Sequence, residues 1–277
     1  MEQYSVLMSV YYKANPDFFD EAIQSVLAQT YATNDFVIVC DGPLTKQLDA
    51  VIDTYVALHP DVFHIIKLPQ NVGIGAAAEA GLRACKNDLV AKMDADDISL
   101  PNRCQKQVER FHKDRDLAMV GGFIEEFESD PDNPFSVREV PLSNDEIREF
   151  AKRRQPFNNI SIMYRRNAVL AVGGYRKLRR SEDYDLYIRL LHKGYKGENL
   201  QEILAKCRVD SEARKRRTSL QTLMGFVHSR WNAFRIGYSS VWDFTYCCCG
   251  ELFVFFCPPK LQDKIYMRFL RKNIEVE

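Results

Sequence analysis

The chain has 277 residues, of which 46% are hydrophobic and 27% are charged, and its formal net charge is zero. This length excludes a disulfide-stabilised miniprotein, and the neutral total gives no reason to expect a nucleic-acid partner. No run reaches the roughly 18 uninterrupted apolar residues of a spanning helix, and no basic leader opens the chain, so we expect neither a transmembrane segment nor a signal peptide. The eight cysteines lack framework spacing, which favours reduced thiols in a cytoplasmic protein.

Apolar strand-like runs alternate with amphipathic helical segments from residue 4 to residue 94. The strands are "YSVLMSVYY", "DFVIVCDG", "VFHIIKLP" and "DLVAKMD", and the helices are "NPDFFDEAIQSVLAQT", "LTKQLDAVIDTYVALHP" and "NVGIGAAAEAGLRAC". This order predicts an α/β fold with a Rossmann-like, mainly parallel sheet and helices on both faces. Ligands of such sheets bind beyond the carboxyl ends of the strands, where Asp41 and the cluster Asp94–Asp97 fall.

A second group of segments follows Pro101. It comprises a helix in "NRCQKQVERFHKD", a pair of strands in "LAMVGGFIEEFE", a loop in "ESDPDNPFSVREV", a helix in "SNDEIREFAKRR", a strand in "FNNISIMYRR" and an amphipathic helix in "SEDYDLYIRLLHKGY". From about residue 218 the sequence becomes helical and rich in aromatic residues. We therefore predict a first domain over residues 1–217 and a helical appendage over residues 218–277.

Three carboxylates, Asp94, Asp96 and Asp97, follow the fourth predicted strand. A hard cation such as Mg²⁺ or Mn²⁺ prefers oxygen ligands and binds through one or two carboxylates together with substrate phosphate oxygens. On an extended segment Asp94 and Asp96 lie on the same side and can share one metal–diphosphate unit, whereas Asp97 braces the turn. A polar strand end that uses Asp as a turn former is the alternative, but the buried strand before the cluster favours a metal site.

Six segments occur in an order that resembles the inverting family 2 glycosyltransferases of the GT-A fold. They are "SVLMSVYY", "IVCDGP", "NVGIGAAAEAGL", "AKMDADDISLPNRCQKQ", "VGGYR" and "SEDYDLYIRLLHKGY". The chain is most similar to the branch found in bacterial capsule, exopolysaccharide and O-antigen clusters. The resemblance covers about residues 4 to 210 and implies a nucleotide-sugar donor, commonly a UDP-sugar. It also implies Mn²⁺ or Mg²⁺ as cofactor and a glycan or polyprenyl-diphosphate-linked acceptor at the cytoplasmic face of the membrane.

The resemblance also implies roles for individual residues. Asp96 matches the direct metal ligand of the family, and Asp94 matches a residue near the ribose and the metal. The residues expected to contact the nucleotide are Tyr11, Asp41, Lys92, Asp94 and Ala95. For Asp41 a plain Asp-Gly turn is an equal alternative. Arg179 and Arg180 are expected either near the diphosphate or on an exposed basic loop.

Glu182 and Asp183 begin the last predicted helix of the first domain. Carboxylates are favoured at a helix N-terminus by the exposed amides and the dipole alone. The resemblance adds a catalytic interpretation, because inverting transfer needs a carboxylate that takes the proton from the attacking hydroxyl. Asp183 matches that base, and Glu182 is its partner in the family's Glu-Asp pair.

The sequence departs from the family pattern in two motifs. Ala78 and Glu79 stand where the family often has an Arg-Asn pair, and Ser9 and Tyr12 replace a proline and an asparagine of the first strand. These changes leave the donor sugar open. They do not affect the proposed metal ligand or base.

The region after residue 218 combines aromatic residues with cations. It contains both tryptophans of the chain and seven cations, namely Arg230, Arg235, Lys260, Lys264, Arg268, Arg271 and Lys272. Amphipathic helices of this composition can lie in a membrane interface, but helices that pack on the catalytic domain or form a homodimer contact are an equal alternative. The run Cys247–Cys249 is interpreted as buried small side chains, with acylation as the alternative.

Other classes of protein share parts of these patterns. The segment "GIGAAAEAG" imitates the glycine-rich fingerprint of an NAD(P)-binding oxidoreductase, but it follows the third strand and not the first. A phosphohydrolase would carry its Asp-x-Asp after the first strand. A non-catalytic nucleotide-binding protein would not need both Asp96 and Asp183. We therefore expect a metal-dependent glycosyltransferase.

Overall fold

The computed structural model describes residues 1–178, 180–209 and 219–258, together with Leu261 and the backbone of residues 272 and 273. The strands are β1 (Tyr4–Val10), β2 (Asp35–Cys40), β3 (Phe63–Lys67), β4 (Leu89–Asp94), β5 (Ile98–Ser99), β6 (Leu117–Phe127), β7 (Ser136–Arg138), β8 (Met163–Arg165), β9 (Lys196–Arg208) and β10 (Lys272–Asn273). The helices are α1 (Pro16–Leu27), α2 (Lys46–Leu58), α3 (Ile74–Ala84), α4 (Arg103–Lys113), α5 (Asn144–Ala151), α6 (Arg166–Ala171), α7 (Glu182–His192), α8 (Leu220–Arg235) and α9 (Val241–Phe256).

The strands form one sheet with the order β10-β7-β6-β8-β4-β1-β2-β3. The half built from β1 to β4 is parallel, as predicted. Alternating side chains bury both of its faces, because Val6 and Met8 pack with α1, α2 and α4, whereas Leu7, Val37 and Val39 pack with α3, α5 and α7. The predicted α/β class with helices on both faces is therefore confirmed.

The second half of the sheet is mixed. Strand β8 is antiparallel to β4 and to β6, β7 is antiparallel to β6, and the long β9 runs parallel to β6. The prediction of two strands in "LAMVGGFIEEFE" was wrong, since this segment is the single strand β6. The predicted loop contains β7, and β9 and the short β5 had not been predicted.

Glycines let β9 approach β6 closely. A side chain at Gly121 would collide with Asn199 Oδ1, and one at Gly122 would meet Leu204 Cδ1 at 2.5 Å. The register between the two strands shifts after Gly122, which marks an irregularity in the ladder. A Gly-Gly step that would ordinarily suggest a turn here allows two strand backbones to pack.

Two buried polar side chains of α4 hold the carboxyl end of β4 in place. The Arg103 guanidinium of α4 donates to the carbonyl of Lys92 at 2.7 Å and to that of Ile162 at 3.1 Å. The Gln107 amide donates to the carbonyls of Val120 and Ser161 at 2.7 and 2.8 Å. Both side chains are fully buried, and their hydrogen bonds compensate their burial. They tie β4, β6 and the 3-10 turn Asn159–Ser161 together beneath the cluster of carboxylates.

Helices α8 and α9 pack against each other, and α8 packs on α7. Asn232 Nδ2 donates to Asp185 Oδ1 at 3.1 Å, and the Arg230 guanidinium lies 3.7 Å from the centre of the Tyr184 ring. Trp231 and Phe234 of α8 contact the Phe244 ring of α9. None of the described helices is long and apolar enough to cross a bilayer.

All eight cysteines are free thiols, as predicted. Within the run Cys247–Cys249, only Cys247 is buried, whereas Cys248 is half-buried and Cys249 is exposed. The interpretation of this run as buried small side chains was therefore correct for its first member alone.

Candidate active site

The end of β4 holds a buried lysine and the first carboxylate of the cluster. Lys92 and Asp94 lie on the same side of the strand because side chains alternate along it. Lys92 Nζ donates to Asp94 Oδ1 at 3.0 Å and to the Met93 carbonyl at 3.3 Å, and the lysine side chain is only 2% exposed. The Asp94 side chain is 31% exposed. The carboxyl edge of the sheet therefore presents a buried cation beside an accessible carboxylate.

The turn after β4 differs from the extended geometry that the sequence predicted. The strand ends at Asp94, and Ala95 and Asp96 form a turn. Strand alternation therefore does not set the direction of Asp96, and that part of the prediction was wrong. Asp96 is half-buried, and Ala95 is almost fully buried.

Asp97 braces this turn, as predicted. Its Oδ1 accepts a hydrogen bond from the Arg208 amide at the end of β9 at 2.7 Å, and Arg208 Nε donates to the Asp96 carbonyl at 3.2 Å. Burial raises the pKa of Asp97 well above its ordinary value, and the charges of Asp96 and then Asp94 raise it further. The three carboxylates are therefore close together, and β9 holds their turn in place.

Asp183 lies in the first turn of α7. Gln155 Nε2 donates to Asp183 Oδ2 at 2.7 Å, and the Tyr184 amide donates to Asp183 Oδ1 at 2.7 Å. Both donors are neutral, so they orient the carboxylate and favour its charged form without cancelling its charge. Gln155 lies in the loop after α5, and the sequence gave no reason to expect it at the site.

Electrostatic interactions connect the two acidic motifs. Burial raises the pKa of Glu182 to about 8, and the charges of Asp183 and Asp94 also raise it, whereas Lys92 lowers it. Burial likewise raises the pKa of Asp183, with a further increase from Asp94 and a decrease from Arg138. Since Asp94 acts on both groups, the fold brings the strand-end cluster and the start of α7 to one site.

Asp41 organises the loop that leads into α3. Its carboxylate accepts hydrogen bonds from the Val72 amide at 2.7 Å, the Gly73 amide at 3.1 Å and the Asn71 side chain at 3.0 Å. A carboxylate offers about four lone-pair sites, so these three donors leave about one available. Gly73 is the N-cap of α3 with a φ of 90°, a backbone conformation that glycine adopts without strain.

The departures in α3 have structural roles. Ala78 is buried in the core, and the Glu79 carboxylate accepts a hydrogen bond from the Tyr175 amide at 2.7 Å. Glu79 also pairs with Arg83 at 2.6 Å. A side chain at Gly75 would collide with the carbonyl of Arg176. Helix α3 therefore supports the "VGGYR" loop that precedes the proposed base.

The remaining predicted residues lie around the same edge of the sheet. Tyr11 directly follows β1, is half-buried and packs edge to face on Tyr12, with ring centroids 5.8 Å apart. Ser9 is paired with Asp94 across β1 and β4, and its hydroxyl is buried without a partner among the described residues. Arg179 lies outside the described residues, as do Lys260, Lys264, Arg268 and Arg271.

The predicted metal ligands fit an open cation site. Within the described ranges, no group of three or more His, Cys, Asp or Glu side chains is arranged to hold a metal ion. Asp94 and Asp96 supply oxygen ligands, and Mg²⁺ or Mn²⁺ typically takes one or two protein carboxylates and completes its coordination with phosphate oxygens and water. The donor set therefore suits a cation that binds together with a diphosphate.

An open cleft of about 370 Å³ lies away from these residues. It is lined by Asp145, Arg148, Glu149, Lys152, His192, Gly237 and Tyr238. None of the predicted site residues lines it.

Comparison with known proteins identifies relatives of this chain. Residues 5–179 match the model of the family described as glycosyl transferase family 2. A UDP-Gal:alpha-D-GlcNAc-diphosphoundecaprenol beta-1,3-galactosyltransferase of Escherichia coli is 32% identical over 271 residues, which cover 98% of this chain and 97% of that protein. The amylovoran biosynthesis glycosyltransferase AmsE of Erwinia amylovora is 35% identical over 209 residues, which cover 76% of this chain and 77% of that protein.

A solved structure shares the fold. The mannosyltransferase PcManGT from Pyrobaculum calidifontis, in complex with GDP-Man and Mn²⁺, superposes with a TM-score of 0.67 at 15% identity. The superposition covers 95% of this chain and 72% of that chain. This likeness concerns the fold, and it agrees with the GT-A architecture that the sequence segments implied.

Proposed function

The chain belongs to glycosyl transferase family 2, and from this membership we propose that it transfers a sugar, with inversion, from a nucleotide-sugar to a lipid-linked glycan. The observation that supports the reaction most directly is the shared electrostatic environment of Asp94, Glu182 and Asp183. One side of such a site can hold a diphosphate, and the other can deprotonate an alcohol. A UDP-sugar is the preferred donor because the Escherichia coli relative is named for UDP-Gal.

Asp183 is the proposed base. Inverting transfer forms a bond between the acceptor oxygen and the anomeric carbon, while the bond from that carbon to the diphosphate oxygen breaks and the hydroxyl proton moves to the base. The hydrogen bonds from Gln155 and the Tyr184 amide hold the carboxylate in one orientation. Burial raises the pKa of Glu182 to about 8, which favours its protonated form at neutral pH.

Asp94 and Asp96 are the proposed metal ligands, with Lys92 beside them. A Mn²⁺ or Mg²⁺ ion bound there would offset the negative charge of the departing diphosphate. Lys92 fixes the Asp94 carboxylate through its 3.0 Å hydrogen bond at the same edge. Tyr11, Asp41 and Ala95 complete the proposed nucleotide side of the site, around the carboxyl ends of β1, β2 and β4.

The proposed acceptor is taken from the name of the Escherichia coli relative, which matches this chain over nearly its whole length. That enzyme is named for a GlcNAc linked to diphosphoundecaprenol, and the match extends over nearly the whole of both chains. We infer that residues 1–217 carry the catalytic site and that residues 218–277 contact the cytoplasmic membrane face where such an acceptor lies. A contact between two copies of the chain is the alternative role for residues 218–277.

The donor prediction is tested by thermal unfolding with nucleotides. UDP should raise the melting temperature only when Mn²⁺ or Mg²⁺ is present. At a hundredfold excess of UDP over its dissociation constant, the free energy of unfolding should increase by about 2.7 kcal/mol. Asp96→Asn should abolish the metal-dependent part, and Asp61→Asn, at an exposed position on another loop, should not. Stabilisation by NAD, with no effect of any nucleoside diphosphate, would instead support the oxidoreductase.

The acceptor prediction needs a transfer assay. Full-length protein with Mn²⁺ is incubated with a panel of nucleotide-sugars and a short diphospholipid-linked GlcNAc, and the release of nucleoside diphosphate and the glycolipid product are both measured. We expect a glycolipid product with a UDP-sugar. Diphosphate release without any glycolipid would contradict the proposed acceptor and leave the donor assignment standing.

A further inference from the structure

Helix α9 turns an uncharged, largely apolar face toward the outside of the molecule. On a helical wheel its exposed residues fill one continuous half of the circumference. They are Val241, Trp242, Thr245, Tyr246, Cys249, Gly250, Leu252, Phe253 and Phe256. Trp242 and Phe256 are 78% and 79% exposed. A surface helix of a globular protein ordinarily shows the opposite arrangement, with its polar residues outward.

The two carboxylates of α9 lie on its inner side. Asp243 is buried and accepts a 2.6 Å hydrogen bond from Arg153 Nε. Glu251 is half-buried, and burial raises its pKa while the nearby Arg230 lowers it. The helix thus directs its charges into the protein and its large apolar side chains outward. This arrangement suits an apolar phase on the outer side.

Cations lie beside the exposed face. The Arg153 guanidinium is 5.3 Å from the centre of the Tyr246 ring, and Arg153 and Arg154 are both exposed. In the sequence that follows α9, five cations occur between residues 260 and 272 with one acidic residue, Asp263. Apolar side chains beside Arg153, in a segment that a basic stretch of sequence follows, match a membrane interface with anionic headgroups, and a neutral apolar partner would not require that basic stretch.

We propose that α9 lies in the plane of an anionic lipid surface, with its outward face at the boundary between headgroups and acyl chains. The helix has 16 residues and is therefore about 24 Å long, which suits a helix that lies on the surface. The proposal deepens the proposed function, since it rests on a lipid-linked acceptor for its purpose. Through α8, this surface is connected to α7, because Asn232 bonds Asp185 and Arg230 stacks on Tyr184, the residue next to the proposed base.

Tryptophan fluorescence of the full chain tests the contact directly. The variant Trp231→Phe leaves Trp242 as its single tryptophan, and Trp242→Phe leaves Trp231. With vesicles of phosphatidylglycerol and brominated phosphatidylcholine, Trp242 should shift to the blue and be quenched at least about twofold more than Trp231, because it lies on the outward face. Absence of quenching of Trp242, or equal quenching with purely neutral vesicles, would overturn the proposal.

A charge placed on the outward face should weaken vesicle binding. Phe253→Glu is expected to lower the partition constant for vesicles by about tenfold. The added carboxylate opposes insertion and is repelled by anionic lipid. Leu58→Glu is the matched control, because Leu58 is also an exposed apolar residue but lies on α2. Unchanged binding of Phe253→Glu, with the protein folded as judged by its melting temperature, would contradict the proposal.

The same variants distinguish a membrane contact from a contact between copies. Light scattering without lipid should give one molecular mass for the parent chain and for Phe253→Glu. A dimer that Phe253→Glu dissociates would show that a second copy covers the face, and the membrane proposal would fail. Vesicle binding is measured without donor and is therefore independent of the transfer assay. Loss of vesicle binding with transfer to a soluble acceptor retained would reject the membrane contact alone. Loss of transfer with intact vesicle binding would reject the proposed function alone.

Discussion

Asp183 is held by two neutral donors and no described cation bonds to it directly. This environment suits a group that must accept a proton, because a paired cation would lower its basicity. The adjacent residue, Glu182, is largely protonated at pH 7 because burial raises its pKa to about 8. At the scale of single residues, burial thus raises the pKa of both adjacent carboxyl groups.

Asp183→Asn should remove transfer and preserve nucleotide binding. The amide retains the shape of the carboxylate but cannot take a proton, and general-base catalysis typically contributes about 10²–10⁴-fold. We expect the turnover number to fall by at least about a hundredfold while the UDP-induced thermal shift stays unchanged. Near-full turnover of this variant would show that another group is the base.

Glu182 makes stability depend on pH. Its folded-state pKa of about 8 lies above the ordinary value of 4.5, so between these values the native state binds more protons than the unfolded state. The contribution of Glu182 to the free energy of unfolding is therefore fully present below about pH 4.5 and is lost as pH rises through about 8. Glu182→Gln lacks this loss, so its melting temperature relative to the parent chain should increase from pH 5 to pH 9 in the presence of EDTA. Parallel pH profiles of the two proteins would contradict the environment described here.

Sequence reasoning proposed the acidic residues of the candidate site and missed the residues that hydrogen-bond to them. Asp94, Asp96, Asp97, Glu182 and Asp183 could be predicted because carboxylates at strand and helix ends form recognisable local patterns. Gln155 and Asn71 could not, because each acts from a loop through one contact that only the folded chain creates. Their hydrogen bonds to Asp183 and Asp41 span 28 and 30 residues.

At the scale of elements, one ion-pair network joins α7, the "VGGYR" loop and α8. Asp185 accepts hydrogen bonds from Arg189 at 2.8 Å, Arg176 at 3.0 Å and Asn232 at 3.1 Å. Arg189 in turn donates to the carbonyls of Val172 and Gly174. Asp185 is almost fully buried, so this network fixes how α7 presents its first turn to the site.

Asp185→Ala should destabilise the protein strongly. Removing one partner of a buried pair leaves Arg189 buried without its countercharge, which costs about 3–5 kcal/mol. The free energy of unfolding from urea denaturation measures this loss. Asp49→Ala is the control, since its pair with Lys67 at 3.4 Å is exposed and is worth at most about 1 kcal/mol. Similar losses in both variants would show that the Asp185 network does not hold these elements together.

Regular elements followed from sequence where they are long enough to show an apolar run or a periodic apolar pattern. The order β1 to α3 was predicted because apolar residues recur with the period of a strand or a helix. The segment of β6 was predicted as two strands, and the role of Gly121 and Gly122 inside one strand appears only once β9 packs against them. β5 and β7, with two and three residues, are too short to carry a period.

At the scale of the whole molecule, α8 and α9 are integrated with the catalytic part. Besides the contact to Asp185, the Tyr238 hydroxyl donates to the Arg148 carbonyl at 2.8 Å, and Arg230 covers Tyr184. The relative that covers 98% of this chain extends over the same helices. A membrane contact made by α9 would therefore act on a single structural unit.

Truncation should show this integration. A chain that ends at residue 217 loses these contacts, so its free energy of unfolding should fall by at least about 3 kcal/mol. Each hydrogen bond contributes about 1 kcal/mol, and the cation–π contact adds to this. A chain that ends at Pro258 keeps α8 and α9 and is the control. Equal melting temperatures of the 1–217 chain and the full chain would show that the two parts are independent.

The arrangement around Asp41 has a consequence for the choice of base. Three of its roughly four lone pairs are already engaged by the loop before α3, so in the proposed nucleotide site a base meets one remaining acceptor. Uracil and thymine present an imide N–H at N3 that can satisfy it, whereas cytosine presents a lone pair at N3 that the carboxylate repels and can donate only from its exocyclic amino group. A single free lone pair, left by the folding of a loop, would then favour one pyrimidine over another before any sugar is recognised.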